Sequence, residues 1–211
     1  TIVGDVNSTS VSEHTMMLII SVFKKIILAD FSTRNYLWNY RNNYEPRELY
    51  GKNLLIIGFG RIGKKLGKLA KAFGMNIHVY DPYIENKFDE YEIRYFQNLT
   101  TALCDADCIS LNLPKVDKPI ITKENSQYLK HGVILINTAR GALIEEKVLL
   151  DGIQKGVISG VGLDVFDNEP VEKNHFLLKY KQVVFTPHQA GLSQEAAERM
   201  SIKSIDNILD Y

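Results

Sequence analysis

The stretch Leu54-Leu55-Ile56-Ile57-Gly58-Phe59-Gly60-Arg61-Ile62-Gly63 constrains the fold of this 211-residue chain more than any other. An apolar run ends on G-x-G-x-x-G, and a helical pattern follows from Lys64 to Phe73. Gly58 permits a tight turn, Gly60 lets the backbone approach a pyrophosphate, and Gly63 lets the helix pack closely on the strand. The helix opening at Arg61 and Ile62 offers unpaired N–H groups and the positive end of its dipole to phosphates. Asp81 stands eighteen residues past Gly63, at the end of the next apolar run. It is placed to accept hydrogen bonds from adenosine ribose hydroxyls and to repel the extra phosphate of NADP. The segment reads as a dinucleotide site that favours NAD.

From Asn53 onward strand and helix patterns alternate. Strands are expected at 54–58, 76–80, 107–111, 133–137, 159–165 and 183–186, and helices at 61–73, 99–105, 123–130, 145–155 and 193–209. Short continuous runs of Ile, Val and Leu are what helices on both faces of a parallel sheet require. The fold class is therefore α/β, a Rossmann-type doubly wound parallel sheet with helices on both faces. Ahead of it, Ser10-Val11-Ser12-Glu13 forms a capping box, and apolar residues continue through Leu28. Residues 1–50 read as a helix and linker, 51–192 as the NAD-binding domain, and 193–211 as a C-terminal helix. The first helix is apolar on several faces (Met17, Leu18, Ile20, Val22, Phe23, Ile26, Ile27), more than the short chain before it can cover. A homodimer contact is expected over the segment from Val11 to about Tyr50.

Composition narrows the partners. Lys plus Arg and Asp plus Glu number 25 each, so no bulk field draws the chain to nucleic acid or an anionic membrane. The longest apolar stretch, 16–23, is too short to span a bilayer. Cys104 and Cys108 read as small buried hydrophobes, and no metal site is expected. A reducing cytoplasm is the default compartment.

In such sheets ligands bind beyond the carboxyl ends of the strands. Three polar stretches fall there: Asn137-Thr138-Ala139-Arg140-Gly141, Asp164-Val165-Phe166 running on to Asn168-Glu169-Pro170, and Thr186-Pro187-His188-Gln189-Ala190-Gly191. N-T-A-R-G, D-V-F-x-x-E-P and T-P-H-x-A-G in this order closely resemble the D-isomer-specific 2-hydroxyacid dehydrogenase family. The resemblance runs from Asn7-Ser8 to Gly191. It implies that a substrate domain of about a hundred residues precedes this chain and that a return segment follows it, so the chain is read as a fragment of a longer protein. It also implies that Asp164, Thr138, Ala139, Pro114, Ala190 and Gly191 lie along the cofactor. Asn112, where many members have His, and Lys115-Val116-Asp117 after Pro114 depart from the family pattern near the riboses. Lys71-Ala72-Phe73-Gly74-Met75 ahead of Tyr80-Asp81-Pro82 is most similar to the phosphoglycerate dehydrogenase branch.

Reducing a 2-keto acid takes a hydride from nicotinamide C4 and a proton to the carbonyl oxygen. The proton donor should titrate near neutrality, which suits His188. Glu169, bonded to the other ring nitrogen, would fix the tautomer and favour imidazolium. Arg140 would grip the substrate carboxylate in its planar fork. Formate dehydrogenases of this superfamily pair the histidine with Gln, so Glu169 points to a true hydroxyacid. Plainer roles exist: Arg140 in a surface ion pair, Glu169 as a solvated loop acid, His188 as a helix-opening residue. His14, His78, His131 and His175 are expected to lack such partners. A non-enzymatic alternative is an NAD-sensing scaffold of the corepressor kind.

Overall fold

A computed structural model describes residues 5–43, 45–84, 92–114 and 117–209. Lys115 and Val116 of the departing loop lie outside them. Among the described residues six helices and seven strands carry the fold: α1 Ser8–Phe23, α2 Ile26–Arg34, β1 Asn53–Ile57, α3 Arg61–Ala72, β2 Asn76–Tyr80, β3 Arg94–Phe96, α4 Leu99–Asp105, β4 Cys108–Leu111, β5 Val133–Asn137, α5 Glu146–Gln154, β6 Ile158–Leu163, β7 Val183–Phe185 and α6 Gln194–Leu209. The strands form one sheet in the order β3-β2-β1-β4-β5-β6-β7, and every pairing is parallel. The order reverses at β1, which places the glycine turn at the switch point.

Strand alternation divides the core in two. Leu55 and Ile57 of β1 join Ile109, Leu135, Val161 and the α4 and α5 side chains on one face. Leu54 and Ile56 join Ile77, Val79, Ile134 and Ile136 on the other, against α3 and α1. Period-two alternation in a strand buried on both sides produces this split.

The greasy first helix covers its own domain. Leu18, Ile19, Val22 and Phe23 of α1 share a core with Leu54, Ile56, Leu66 and Ile136. Its close seat depends on β6, where a Cβ on Gly160 would come within 2.4 Å of Val22. The domain thus covers one side of this segment, while Met17, Ile26 and Ile27 stay exposed. It is not a single helix to Leu28: Lys25, at φ 48°, turns left-handed and separates α1 from α2. The capping box is also absent. The cap residue is Asn7, and the Ser12 hydroxyl donates back to the Thr9 carbonyl inside the helix.

Other differences are local. The linker at 31–50 holds the end of α2 and a 3-10 turn, Trp38–Asn43. The helix expected at 123–130 is only a 3-10 turn, Ser126–Tyr128. The edge strand β3 was not anticipated. Cys104 is exposed, against expectation, whereas Cys108 is buried and its thiol pushed far up by burial.

Candidate active site

Glycine geometry builds the first wall of the site. Gly58 follows β1 at φ 89°, with no room for a Cβ beside the Asn112 carbonyl, 2.7 Å away. On Gly63 a Cβ would lie 2.3 Å from the Gly58 oxygen, so only glycine lets α3 start this close to the strand. Gly60 caps α3, no side chain caps that terminus, and a Cβ there would meet nothing within 4 Å. Open space in front of free N–H groups at a helix N-terminus is what a pyrophosphate needs. Arg61 is exposed and Ile62 half-buried at the same point. Asp81 follows β2 and turns toward this turn: one oxygen accepts the Phe59 N–H at 2.8 Å and the other the Tyr83 N–H at 2.9 Å.

The second wall consists of the ends of β5, β6 and β7. After β5, the Asn137 side chain accepts the Ala139 N–H at 3.1 Å and donates to the Arg140 carbonyl at 2.8 Å, closing the turn on itself. Thr138 is buried and its hydroxyl lies 2.8 Å from that of Thr15. Arg140 is exposed, its Nη1 donating to the Ala139 carbonyl at 2.5 Å. Pro114, beyond β4, is exposed.

Glu169 and His188 meet. Glu169 Oε2 lies 2.5 Å from His188 Nδ1, and its Oε1 accepts the Phe166 N–H at 2.9 Å. Burial pushes the Glu169 carboxyl up. The His188 hydrogen bond, the Phe166 N–H and the charges of His188 and Arg140 outweigh that and leave it below its usual value. His188 itself sits at φ 50°, a left-handed position that costs a residue with a Cβ about 1–2 kcal/mol. Its N–H, pointing to the Asp164 carbonyl at 2.8 Å and the Thr186 carbonyl at 3.1 Å, holds it there.

Asp164 is fully buried. Its carboxylate accepts the Thr186 hydroxyl at 2.5 Å, the Gln189 N–H at 3.0 Å and the Ala190 N–H at 2.9 Å. It therefore ties β6 to the turn that carries His188. Ala190 is buried, its carbonyl taken by the Ser10 hydroxyl at 2.7 Å, and Gly191 packs on Asn7. Two of the other four histidines have partners, against expectation, whereas His78 Nδ1 is buried without a hydrogen bond. His14 reaches Thr186 and Asp164, His175 lies 3.1 Å from Glu146, and His78 lies 3.7 Å from Asp105. Sequence reasoning missed Ser10, His14, Thr15, Asn137 and Thr186 as shapers of the site. Ser10 and His14, one turn apart in the polar first half of α1 with Ser12, Glu13 and Thr15, were the available signal.

A parallel sheet switching direction at a glycine turn, with polar loops gathered over its carboxyl edge, defines a dinucleotide-binding domain. The family model for the D-isomer specific 2-hydroxyacid dehydrogenase NAD binding domain matches residues 16–190, and the chain belongs to that family. NAD is the cofactor such a domain holds, and the open cradle at Gly60 beside Asp81 fits it. The chain is similar to D-3-phosphoglycerate dehydrogenase of Bacillus subtilis, 36% identical over 207 residues covering 97% of this chain and 39% of that protein. Its counterpart in Methanocaldococcus jannaschii is 40% identical over 195 residues, 91% of this chain and 37% of that protein. Among solved structures, D-lactate dehydrogenase of Aquifex aeolicus complexed with NAD and lactic acid superposes with a TM-score of 0.88 at 29% identity, covering 97% of this chain and 66% of that one. The chain thus spans about two fifths of the length of the two curated relatives.

Proposed function

We propose that this domain serves an NAD-dependent D-2-hydroxyacid dehydrogenase that interconverts a small 2-hydroxy acid and its 2-keto acid. The observation that carries the reading is the 2.5 Å contact between Glu169 Oε2 and His188 Nδ1, on the sheet edge that also carries the glycine turn and Arg140. Bound NAD supplies or accepts the hydride at nicotinamide C4. The chain's own groups do the rest. His188 gives its Nε2 proton to the carbonyl oxygen during reduction and takes it back during oxidation. Glu169 fixes the Nδ1–H tautomer and favours the charged ring. Arg140 swings from the Ala139 carbonyl to grip the substrate carboxylate with both prongs. Within the family, the phosphoglycerate dehydrogenase branch is the proposed place, supported by the two relatives above.

The test uses the full-length protein and NADH with a panel of 2-keto acids that includes 3-phosphohydroxypyruvate. His188→Ala should lower turnover by about 10²–10⁴-fold, the usual range for a lost acid–base group. Arg140→Lys should hurt badly although it keeps the charge, because the bidentate grip is lost. Intact NADH binding with no turnover on any keto acid would sink the enzyme reading and favour an NAD-sensing scaffold. No helix among the described residues is long and apolar enough to cross a membrane. Self-association is proposed through α2 and the turn after it, where Ile26, Ile27, Phe31, Leu37 and Trp38 are exposed.

A further inference from the structure

His14 is a nearly buried titratable side chain that the proposed chemistry does not use. It lies on α1, its side chain 13% exposed, with Nε2 2.9 Å from Thr186 Oγ1 and 3.5 Å from Asp164 Oδ1. Proton counting sets the direction of these bonds. The Thr186 hydroxyl has one proton, and the Asp164 carboxylate 2.5 Å away can only accept it. Only lone pairs of Thr186 are left for His14, so the ring donates from Nε2–H. The relay therefore runs from His14 to Thr186 to Asp164.

Asp164 in turn receives the N–H groups of Gln189 and Ala190, immediately after His188, while its own carbonyl receives the His188 N–H. Two more links from α1 reach the same edge: the Ser10 hydroxyl to the Ala190 carbonyl, and Thr15 to Thr138. A helix that served only as packing would present an apolar side chain here, as it does at Val11 and Leu18. Burial holds the His14 ring below its usual pKa although Asp164 pulls the other way, which keeps it a neutral donor.

We propose that His14 is a positioning residue for His188: its Nε2–H, acting through Thr186 and Asp164, holds the turn at 186–191 in which His188 keeps its left-handed backbone and faces Glu169. This rests on the reading of His188 as the proton donor, and the test separates the two. His14→Phe keeps the ring and removes the donor, whereas His14→Gln keeps a donor at similar reach. In the full-length protein His14→Phe should lower kcat about tenfold, since small misplacements of a reacting group are costly, and leave KM for NADH and keto acid within about twofold. His14→Gln should recover most of the loss. Hydrogen exchange at the Gln189 and Ala190 amides should quicken about tenfold in His14→Phe while the β2 amides of Ile77 and Val79 keep their rates, as expected of a local loosening.

Unchanged exchange and kcat in His14→Phe, or no recovery in His14→Gln, overturns the proposal. Faster exchange with unchanged kcat keeps the link to the turn and removes His188 from the chemistry, which is the failure of the underlying reading. If His14→Phe does not fold, Thr186→Val against Thr186→Ser decides. Valine should reproduce the slow kcat and fast exchange, serine should not, and equal behaviour of the two overturns the relay.

Discussion

Asp164→Asn should weaken the fold well before it weakens NADH binding. The carboxylate is 0% exposed and takes three donors: the Thr186 hydroxyl at 2.5 Å and the N–H groups of Gln189 and Ala190 at 3.0 and 2.9 Å. An asparagine carbonyl can serve two of them, but its NH₂ must then face the third donor. One hydrogen bond to a charged acceptor contributes about 1.5–3 kcal/mol, and an orphaned buried donor costs about 1–3 kcal/mol more. Together they predict a loss of about 3–5 kcal/mol, a large share of the roughly 5–15 kcal/mol by which domains are stable. For a chain of this size the melting temperature should fall roughly 10 °C. Urea unfolding followed by circular dichroism at pH 7 measures the first quantity, and titration of NADH without urea measures the second. A direct nicotinamide contact, which the family resemblance implies for Asp164, predicts the converse pattern of weak binding with near-normal stability. A loss under about 1 kcal/mol at an unchanged m-value would refute the argument, because it would mean that the three donors find other partners.

The remaining predictions concern the cofactor and pH. Asp81 beside the glycine turn should give at least a tenfold preference for NADH over NADPH in dissociation constant, since like charges at about 4 Å repel by about 4 kcal/mol at an effective dielectric of about 20. Asp81→Ala should narrow that gap, and tighter NADPH binding by the unaltered chain would overturn the assignment. Stability should fall as the pH drops below about 6.5, the ordinary value for histidine. Burial lowers the pKa of both His14 and His78 in the fold, so below that pH the unfolded chain takes protons that the folded one refuses. The slope is at most about 1.4 kcal/mol per pH unit for each ring until its lowered folded pKa is reached. Urea midpoints measured from pH 8 down to the carboxylate range check it, and His78→Asn should remove part of the slope.

The central strands were legible because burial on both faces leaves short Ile, Val and Leu runs, too short for helices and bounded by turn residues. The exceptions share a cause, which is that tertiary or side-chain bonds decided them. β3 is a three-residue edge strand paired only with β2, and Arg94-Tyr95-Phe96 carries no apolar run. At 123–130 the side chains compete for the backbone: Asn125 accepts the Thr122 N–H and donates to the Ile120 carbonyl, and the Ser126 hydroxyl donates to the Lys123 carbonyl. Such local bonds offer the chain an alternative to a helix. The apparent capping box on α1 failed likewise, with Ser12 bonding back inside a helix that had already begun.

The candidate site residues Arg140, Glu169 and His188 stand out by their position after strands, and the fold brings Glu169 and His188 together. What holds them was not legible. His14 and Thr186 are 172 residues apart in sequence, and Ser10 and Ala190 are 180 apart. Hydrophobic pattern shows that a helix must be covered, and says nothing of which surface covers it. The pattern therefore does not reveal that Gly160 and Gly162 of β6 receive one side of α1 at close range, while Met17 stays exposed. A boundary drawn at residue 50 therefore cuts through one core, because Leu18, Val22 and Phe23 pack with Leu54, Ile56 and Ile136. The same helix binds the turn after β5 through Thr15, the turn after β7 through Ser10 and His14, and α3 through Lys65, whose ammonium donates to the Ser8 and Thr9 hydroxyls. The segment that precedes the glycine fingerprint in the chain thus closes the carboxyl edge of the sheet, bonded to the turns that carry Arg140 and His188.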